Sequence, residues 1–164
     1  MNWYLLLLFL HITSAIVFIG GIFARQLVRS NAKRTDDVRT FAALSQAAGR
    51  IENAMVIPGN LAVVLFGVIL ALVMGAPIFG FLQGASRNWL LVSNILLIVA
   101  LLAVPLVFIP RGKKFDHVLK DALAEGRMTP ELRAAMDDKL VESVHVAEII
   151  GLMMVVVLMV FKPI

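Results

Sequence analysis

The sequence predicts an all-α integral membrane protein, a four-helix bundle with both termini on the outer (periplasmic) side. Two observations carry this prediction. Of the 164 residues, 60% are hydrophobic, whereas a soluble domain is roughly 45–50% apolar. Four long apolar runs also alternate with two basic segments, which hold thirteen of the fifteen Lys and Arg residues. In membrane proteins such residues collect in the loops on the cytoplasmic side.

Each apolar run is long enough for a transmembrane helix, which needs about 20 residues to cross about 30 Å of hydrocarbon. Strands are excluded as spans, because only closed barrels satisfy strand backbones in lipid and these runs do not alternate. The first run lacks a positively charged start and a cleavage site, which predicts a retained helix rather than a signal peptide. One membrane domain over residues 1–164 is expected, with helices over 3–24, 54–75, 89–109 and 144–161.

The basic residues set the predicted orientation. Residues 25–50 and 111–139 contain all of them except Arg87 and Lys162, so both segments should face the cytoplasm of a bacterium, at its inner membrane. The pI near 9.9 is then explained by the positive-inside bias and by attraction to anionic headgroups of the lipid bilayer. Nucleic acid is not an expected partner.

Residues 111–143 are predicted to form a cytoplasmic amphipathic helical hairpin. Gly126 should end its first helix, and Thr129 should cap the second, with Pro130 at the first helical position. Apolar residues at helical spacing continue from that second helix into the fourth span, which predicts one continuous helix there. The hairpin is interpreted either as a solvated surface element or as a docking surface for a partner.

Small residues indicate where helices approach each other, because association in lipid depends on close packing. Gly67, Ala71 and Gly75 are spaced by four and form one groove on the second helix. The groove serves either packing within the chain or contact with a homo-oligomer or larger membrane complex. Pro105 should bend or loosen the third helix, since it removes a backbone donor.

Polar groups at membrane depth are costly and usually face the bundle interior, so they are the candidate site residues. The candidate cofactor-binding residues are His11, Ser14 and Arg25 on the first helix, Arg50 and Asn60 on the second, and Asn94 on the third. The fourth helix adds Glu142, His145 and Glu148 on one face. Glu148 is expected to form an inner ion pair with Arg25 or Arg50.

His11 is the candidate metal ligand, and three interpretations of it remain open. Its imidazole could bind haem iron, carry a proton or contact a substrate, or hydrogen-bond Asn60 or Asn94. His145 is placed near the inner surface, roughly 15–20 Å from His11 along the membrane normal, so the two should not share one iron. Glu142 and His145 have the Glu-x-x-His spacing of di-iron bundles, but such sites need a second motif and further carboxylates.

Around His11 the chain resembles a known group of proteins. Leu10-His11-Ile12-Thr13, followed by Phe18-Ile19-Gly20-Gly21 and Arg25, is similar to the first helix of the HemJ/CopD-like four-helix membrane proteins. The stretch from Arg50 through Pro58 to Gly67 and the closing Lys162-Pro163 also resemble that group. An uncharacterised family of small predicted integral membrane proteins shares these features and looks like the nearest match.

The resemblance implies a bundle that associates with haem b, with His11 at the matching ligand position. The third helix departs from HemJ, because Trp89 is followed by Ser93 and Asn94 and by no Lys. Porphyrinogen oxidation is therefore not expected, and whether the chain is an enzyme stays open. The predicted function is a haem-binding or redox-linked membrane protein, and the alternative is an accessory subunit of a larger membrane complex.

Overall fold

Four helical segments are long and apolar enough to cross a membrane, and they run Trp3–Lys33, Val38–Val73, Trp89–Glu125 and Pro130–Phe161. The structure, a computed structural model, describes residues 2–163 and contains no strand among them. The predicted all-α, multi-pass membrane class is therefore confirmed. The helices are α1 (Trp3–Lys33), α2 (Val38–Ile51), α3 (Ile57–Val73), α4 (Trp89–Ala103), α5 (Ile109–Glu125), α6 (Pro130–Met136) and α7 (Lys139–Phe161).

The chain divides into two compact units at Ala76 and Pro77. In the first unit, α1 packs against α3. The helices approach so closely that a Cβ atom on Gly59 would lie 3.0 Å from the backbone of Phe18. A Cβ on Gly21 would lie 2.8 Å from the Cβ of Met55. Because glycine has no side chain, the backbones of these two antiparallel helices can approach each other closely, as is common between membrane helices.

In the second unit, α4 packs against α7, and an aromatic contact marks each end of the pair. The ammonium of Lys162 lies 5.2 Å from the ring centroid of Trp89. At the opposite end, the rings of Phe108 and His145 stack with centroids 4.7 Å apart and an interplanar angle of 26°. At 1.5 Å per residue, the two contacts are separated by about 26 Å along α7, close to one hydrocarbon thickness.

Two π-helical turns interrupt the long helices, and the sequence analysis predicted neither. Glu52–Val56 joins α2 to α3, and Val104–Phe108 joins α4 to α5. Each turn lies beside or contains a proline, Pro58 or Pro105, which cannot donate a backbone hydrogen bond. In each turn a backbone N–H reaches back five residues, from Ile57 to Glu52 and from Ile109 to Val104. The expected loosening at Pro105 therefore takes the form of a wider helical turn.

The helices extend well beyond the apolar runs that predicted them. The helix that begins at Trp3 continues to Lys33 rather than ending near residue 24, and the third segment continues through α5 to Glu125. Gly126, in the left-handed conformation with φ 69°, ends α5. Thr129 caps α6 by accepting a hydrogen bond from the Leu132 N–H at 3.2 Å.

One expectation about the hairpin was wrong: α6 does not continue into the fourth span. The helix ends at Met136, and α7 begins at Lys139. Asp138 separates the two helices, because its extended backbone and its carboxylate form an N-cap. The carboxylate accepts hydrogen bonds from Leu140 and Val141 at 3.0 and 3.3 Å. An N-cap residue satisfies free amide groups at a helix start and thereby favours a boundary there.

Candidate functional site

His11 is held against α3 by a hydrogen bond to the main chain. Its Nδ1 lies 3.0 Å from the carbonyl oxygen of Val63, and the residue is half-buried. A carbonyl oxygen can only accept, so Nδ1 must carry the proton and donate it. When the imidazole is neutral, its lone pair is then on Nε2. The partner of His11 is thus a backbone carbonyl rather than a side-chain amide.

Gly67 makes room for the imidazole of His11. A Cβ atom at this position would lie 2.9 Å from Cε1 and 3.1 Å from Nδ1 of the ring. No side chain other than hydrogen fits there without moving the ring, and Val63 lies one turn away on the same helix. The first residue of the predicted small-residue groove therefore packs within the chain. Ala71, the second, is buried, whereas Gly75 follows the end of α3 with nothing within 4 Å of its Cβ position.

Arg25 and Glu52 form an ion pair at the other end of the α1–α3 pair. Arg25 is buried, with 6% of its surface exposed, and donates through Nη1 to Oε2 of Glu52. Glu52 is the first residue of the π turn, so the position of its carboxylate beside the guanidinium depends on that turn. Arg25 lies about 21 Å along α1 from His11, which is farther than the propionates of a haem reach from their iron.

The remaining candidates in the first unit occupy different environments. The Ser14 hydroxyl donates to the carbonyl of Leu10 at 2.7 Å, within its own helix. Asn60 is half-buried, and its Oδ1 is buried without a hydrogen-bond donor. An acceptor left in this state costs about 1–3 kcal/mol. Arg50 is exposed near the end of α2. Asn60 therefore offers an unused acceptor three residues from Val63.

Asn94 belongs to the second unit, where its Nδ2 donates to the carbonyl of Ile78 at 3.3 Å. Its neighbour Ser93 is almost fully buried and donates to the carbonyl of Trp89 at 2.7 Å. Both side chains thus have main-chain partners near the start of α4. His145 is also buried, and its Nδ1 lies 3.3 Å from Oε2 of Glu148.

Two contributors to these sites escaped the sequence analysis. Val63 contributes only a main-chain carbonyl, for which side-chain identity carries no signal. Glu52 could have been found, since it is an acidic residue at the entrance of an apolar helix, but its alignment with Arg25 depends on the π turn.

Among residues 2–163, no group of three or more His, Cys, Asp or Glu side chains is arranged to hold a metal ion. Ligation of haem iron by one imidazole, as proposed for His11, does not need such a group.

Comparison with known proteins adds one finding. A family model described as "Predicted integral membrane protein (DUF2269)" matches residues 5–163, which is nearly the whole chain. No curated protein and no solved structure matches the chain.

Proposed function

We propose from its geometry that this chain, which belongs to the DUF2269 family of predicted integral membrane proteins, binds haem b through His11. The observation that carries the proposal is the hydrogen bond from Nδ1 to the Val63 carbonyl at 3.0 Å. Histidines that ligate metals almost always donate their other ring N–H to a carbonyl or carboxylate, which fixes the tautomer and the ring orientation. His11 has this arrangement, and Nε2 is the nitrogen that would face iron.

The residues around His11 fit such a group in three respects. The Val63 carbonyl orients the imidazole, Gly67 makes room for it against α3, and the surrounding spans are apolar. Asn60, three residues before Val63, offers a buried oxygen that could accept a hydrogen bond from the cofactor or from water. A bound haem would supply one-electron transfer, with its potential tuned by the axial ligand and by burial. Arg25 and Arg50 are too far along the helices to share one porphyrin with His11 and instead belong to the charged end of the unit.

The test is the visible absorption spectrum of the full chain purified in mild detergent, with and without added haem b. Wild-type protein should show a Soret band, and His11→Ala should lose it while keeping its helical circular dichroism. Gly67→Ala should weaken haem retention although the ligand remains, because the added methyl group displaces the ring. His117→Ala is the matched control, since His117 is an exposed histidine whose side chain is 79% accessible. Wild-type protein that neither carries nor takes up haem would refute the proposal.

The same proposal places the protein in a bacterial inner membrane with both termini outward, which rests on the distribution of Lys and Arg. A C-terminal fusion to a reporter that is active only outside the cytoplasm should be active. An inactive but folded fusion would reverse the orientation and leave the haem test unaffected.

The second candidate function is an accessory subunit of a larger membrane complex. It is favoured by Gly20 on α1 and Gly151 on α7, because nothing in the described chain lies within 4 Å of a Cβ atom at either position. Small residues on an open helix face permit close approach of another helix. Native mass spectrometry from mild detergent should then detect a stable assembly that Gly20→Leu or Gly151→Leu disrupts. A monomer in both wild type and variants would remove this candidate.

A further inference from the structure

Residues 77–88, which lead into α4 and are called the connecting loop below, are more apolar than a loop in water needs to be. Residues 77–86 carry no charged side chain. Three large apolar side chains of the loop are more than half exposed, Phe79 at 56%, Phe81 at 63% and Leu82 at 69%. The last two belong to a short 3₁₀ helix, Gly80–Gln83. A continuous exposed apolar patch of this kind marks contact with a membrane or with another protein.

The connecting loop is folded back along the first turns of α4. The side-chain amide of Asn94 donates to the Ile78 carbonyl at 3.3 Å, and a Cβ atom on Gly80 would lie 3.2 Å from the Cβ of Leu91. At 1.5 Å per residue, Asn94 lies about 7.5 Å beyond Trp89 along the helix. The loop therefore lies beside the apolar start of the span and not beyond its end.

Two cations mark the level of the membrane surface at this end of the second unit. Arg87 lies two positions before Trp89, and the ammonium of Lys162 lies 5.2 Å from the centroid of the Trp89 ring. Residues 77–110 and 149–164 contain no acidic side chain, so the charge here complements the phosphates of lipid headgroups. Tryptophan prefers the membrane interface. With Trp89 at that level, the contacts to Leu91 and Asn94 lie on its hydrocarbon side.

The backbone of the connecting loop finds its hydrogen-bond partners nearby in the chain, which is the condition for placing it in an apolar medium. The Phe79 N–H donates to the side-chain oxygen of Gln83 at 2.9 Å. The Phe81 N–H donates to the side-chain oxygen of Asn88 at 2.8 Å. The amides of residues 80 and 82 donate to main-chain carbonyls within the loop, each at 3.1 Å. Four successive amides are thus paired without water.

We propose that the connecting loop is inserted into the lipid leaflet at this end of the second unit, and that phospholipid covers its apolar surface. Phe79, Phe81 and Leu82 contact acyl chains, while Arg87 and Lys162 lie at the level of the lipid phosphates. Interfacial segments bury their apolar face about 5–10 Å into the boundary between headgroups and acyl chains. This contact with lipid is independent of His11 and of haem.

The experiment measures the depth of the loop with spin labels. The chain contains no cysteine, so a single introduced cysteine carries the only label. Leu82→Cys is labelled in the full chain, in nanodiscs of phosphatidylethanolamine and phosphatidylglycerol. Electron paramagnetic resonance then gives the accessibility of the label to oxygen, which concentrates among acyl chains, and to a water-soluble nickel chelate. Ile98→Cys, at an exposed position of α4, calibrates lipid, and Ala124→Cys, at an exposed position of α5, calibrates water. Ser86→Cys is the matched control on the same loop.

The label at Leu82 should resemble the label at Ile98, with severalfold higher access to oxygen and severalfold lower access to nickel than the label at Ala124. The Ser86 label should lie about 5 Å or more closer to water. Phe81→Cys, at a second exposed position, should repeat the Leu82 result.

Three outcomes would overturn the proposal. Nickel access at Leu82 equal to that at Ala124 would place the connecting loop in water. Low access to both reagents would show that protein, such as a second copy of the chain, covers the patch instead of lipid. Equal depths at Leu82 and Ser86 would show that the loop lies flat at one level and is not inserted.

Discussion

The helix pair of the first unit and that of the second unit pack through different kinds of contact. In the first unit, glycine brings two backbones together at Gly21 and Gly59 and makes room for the His11 ring at Gly67. In the second unit, no neighbouring atom lies within 4 Å of a Cβ position at Gly151. The contacts at the two ends of the pair are instead side-chain contacts, between Lys162 and Trp89 and between Phe108 and His145. Backbone proximity allows a main-chain carbonyl to become the partner of a deep histidine. Side-chain packing instead gives the second histidine a ring and a carboxylate as neighbours.

The largest expected difference concerns the two ion pairs. Arg25 has a side chain only 7% accessible beside Glu52, whereas Arg111 is 44% accessible beside Asp138. Glu52→Gln should lower the free energy of unfolding by about 3 kcal/mol, because it leaves a buried guanidinium without this carboxylate. Asp138→Asn keeps the N-cap and removes the same charge, and its cost should be clearly smaller.

The measurement is a denaturant titration in mixed micelles, followed by circular dichroism, for both variants under identical conditions. Equal losses for the two substitutions would show that burial does not distinguish these ion pairs. The contrast between the units would then rest on the glycine contacts alone.

A smaller effect is expected for the glycines. Gly59→Ala places a methyl group 3.0 Å from the backbone of Phe18, which cannot move without shifting α1, so the free energy of unfolding should fall by about 1–3 kcal/mol. Gly151→Ala meets nothing within 4 Å and should be neutral or raise stability by about 0.5–1 kcal/mol through helix propensity. Thermal unfolding in detergent measures both. If Gly59→Ala is as stable as Gly151→Ala, the close backbone approach in the first unit is not needed for its stability.

The smallest effect concerns the pH dependence of one helix cap in the first unit. Asp37 caps α2 by accepting hydrogen bonds from the hydroxyl and the N–H of Thr40, which hold the pKa of its carboxyl below the ordinary value of 3.8. Thr129, the corresponding cap of α6, does not ionise. A lowered pKa in the folded state contributes stability above the unfolded-state value, and this contribution is lost as the pH falls through the folded-state value.

Asp37→Asn is the appropriate variant, because Asn caps helices about as well as Asp and does not titrate. Wild type should be slightly more stable than Asp37→Asn above about pH 4, and the difference should shrink on further acidification. Thermal unfolding between neutral and acidic pH measures it. A difference that is constant over the whole range would mean that the charge of Asp37 plays no part in capping.

The sequence predicted the spans well because hydrophobic length is a local property. Trp89 begins the third helix as the apolar run indicates, and Gly126 and Thr129 end and begin helices through their own backbone and side-chain chemistry. The break before Lys139 also had a local signal, the N-cap Asp138, but the apolar spacing across it suggested continuity. Apolar periodicity shows which face is buried and does not show where the helix is interrupted.

The candidate site was predictable only in part. His11 and Gly67 were both singled out, His11 for its depth and Gly67 for its spacing from Ala71, but nothing in the sequence linked them. Their contact depends on the register between α1 and α3, which close packing at Gly59 and Gly21 sets. The haem-binding role of His11 stays a prediction, as do those of Ser14 and Asn94.

The π turn at Glu52–Val56 can also be regarded as one inserted residue. A regular helix advances by about 100° per residue, so the extra residue shifts the phase of everything before it relative to everything after it. Deleting one residue within the turn would restore an ordinary helix and leave α2 and α3 in nearly the same orientation, because the wide turn absorbs the extra residue. The phase of the amphipathic α2 and the phase of the apolar α3 are thus set independently, and a single helical wheel drawn across both misplaces one of them.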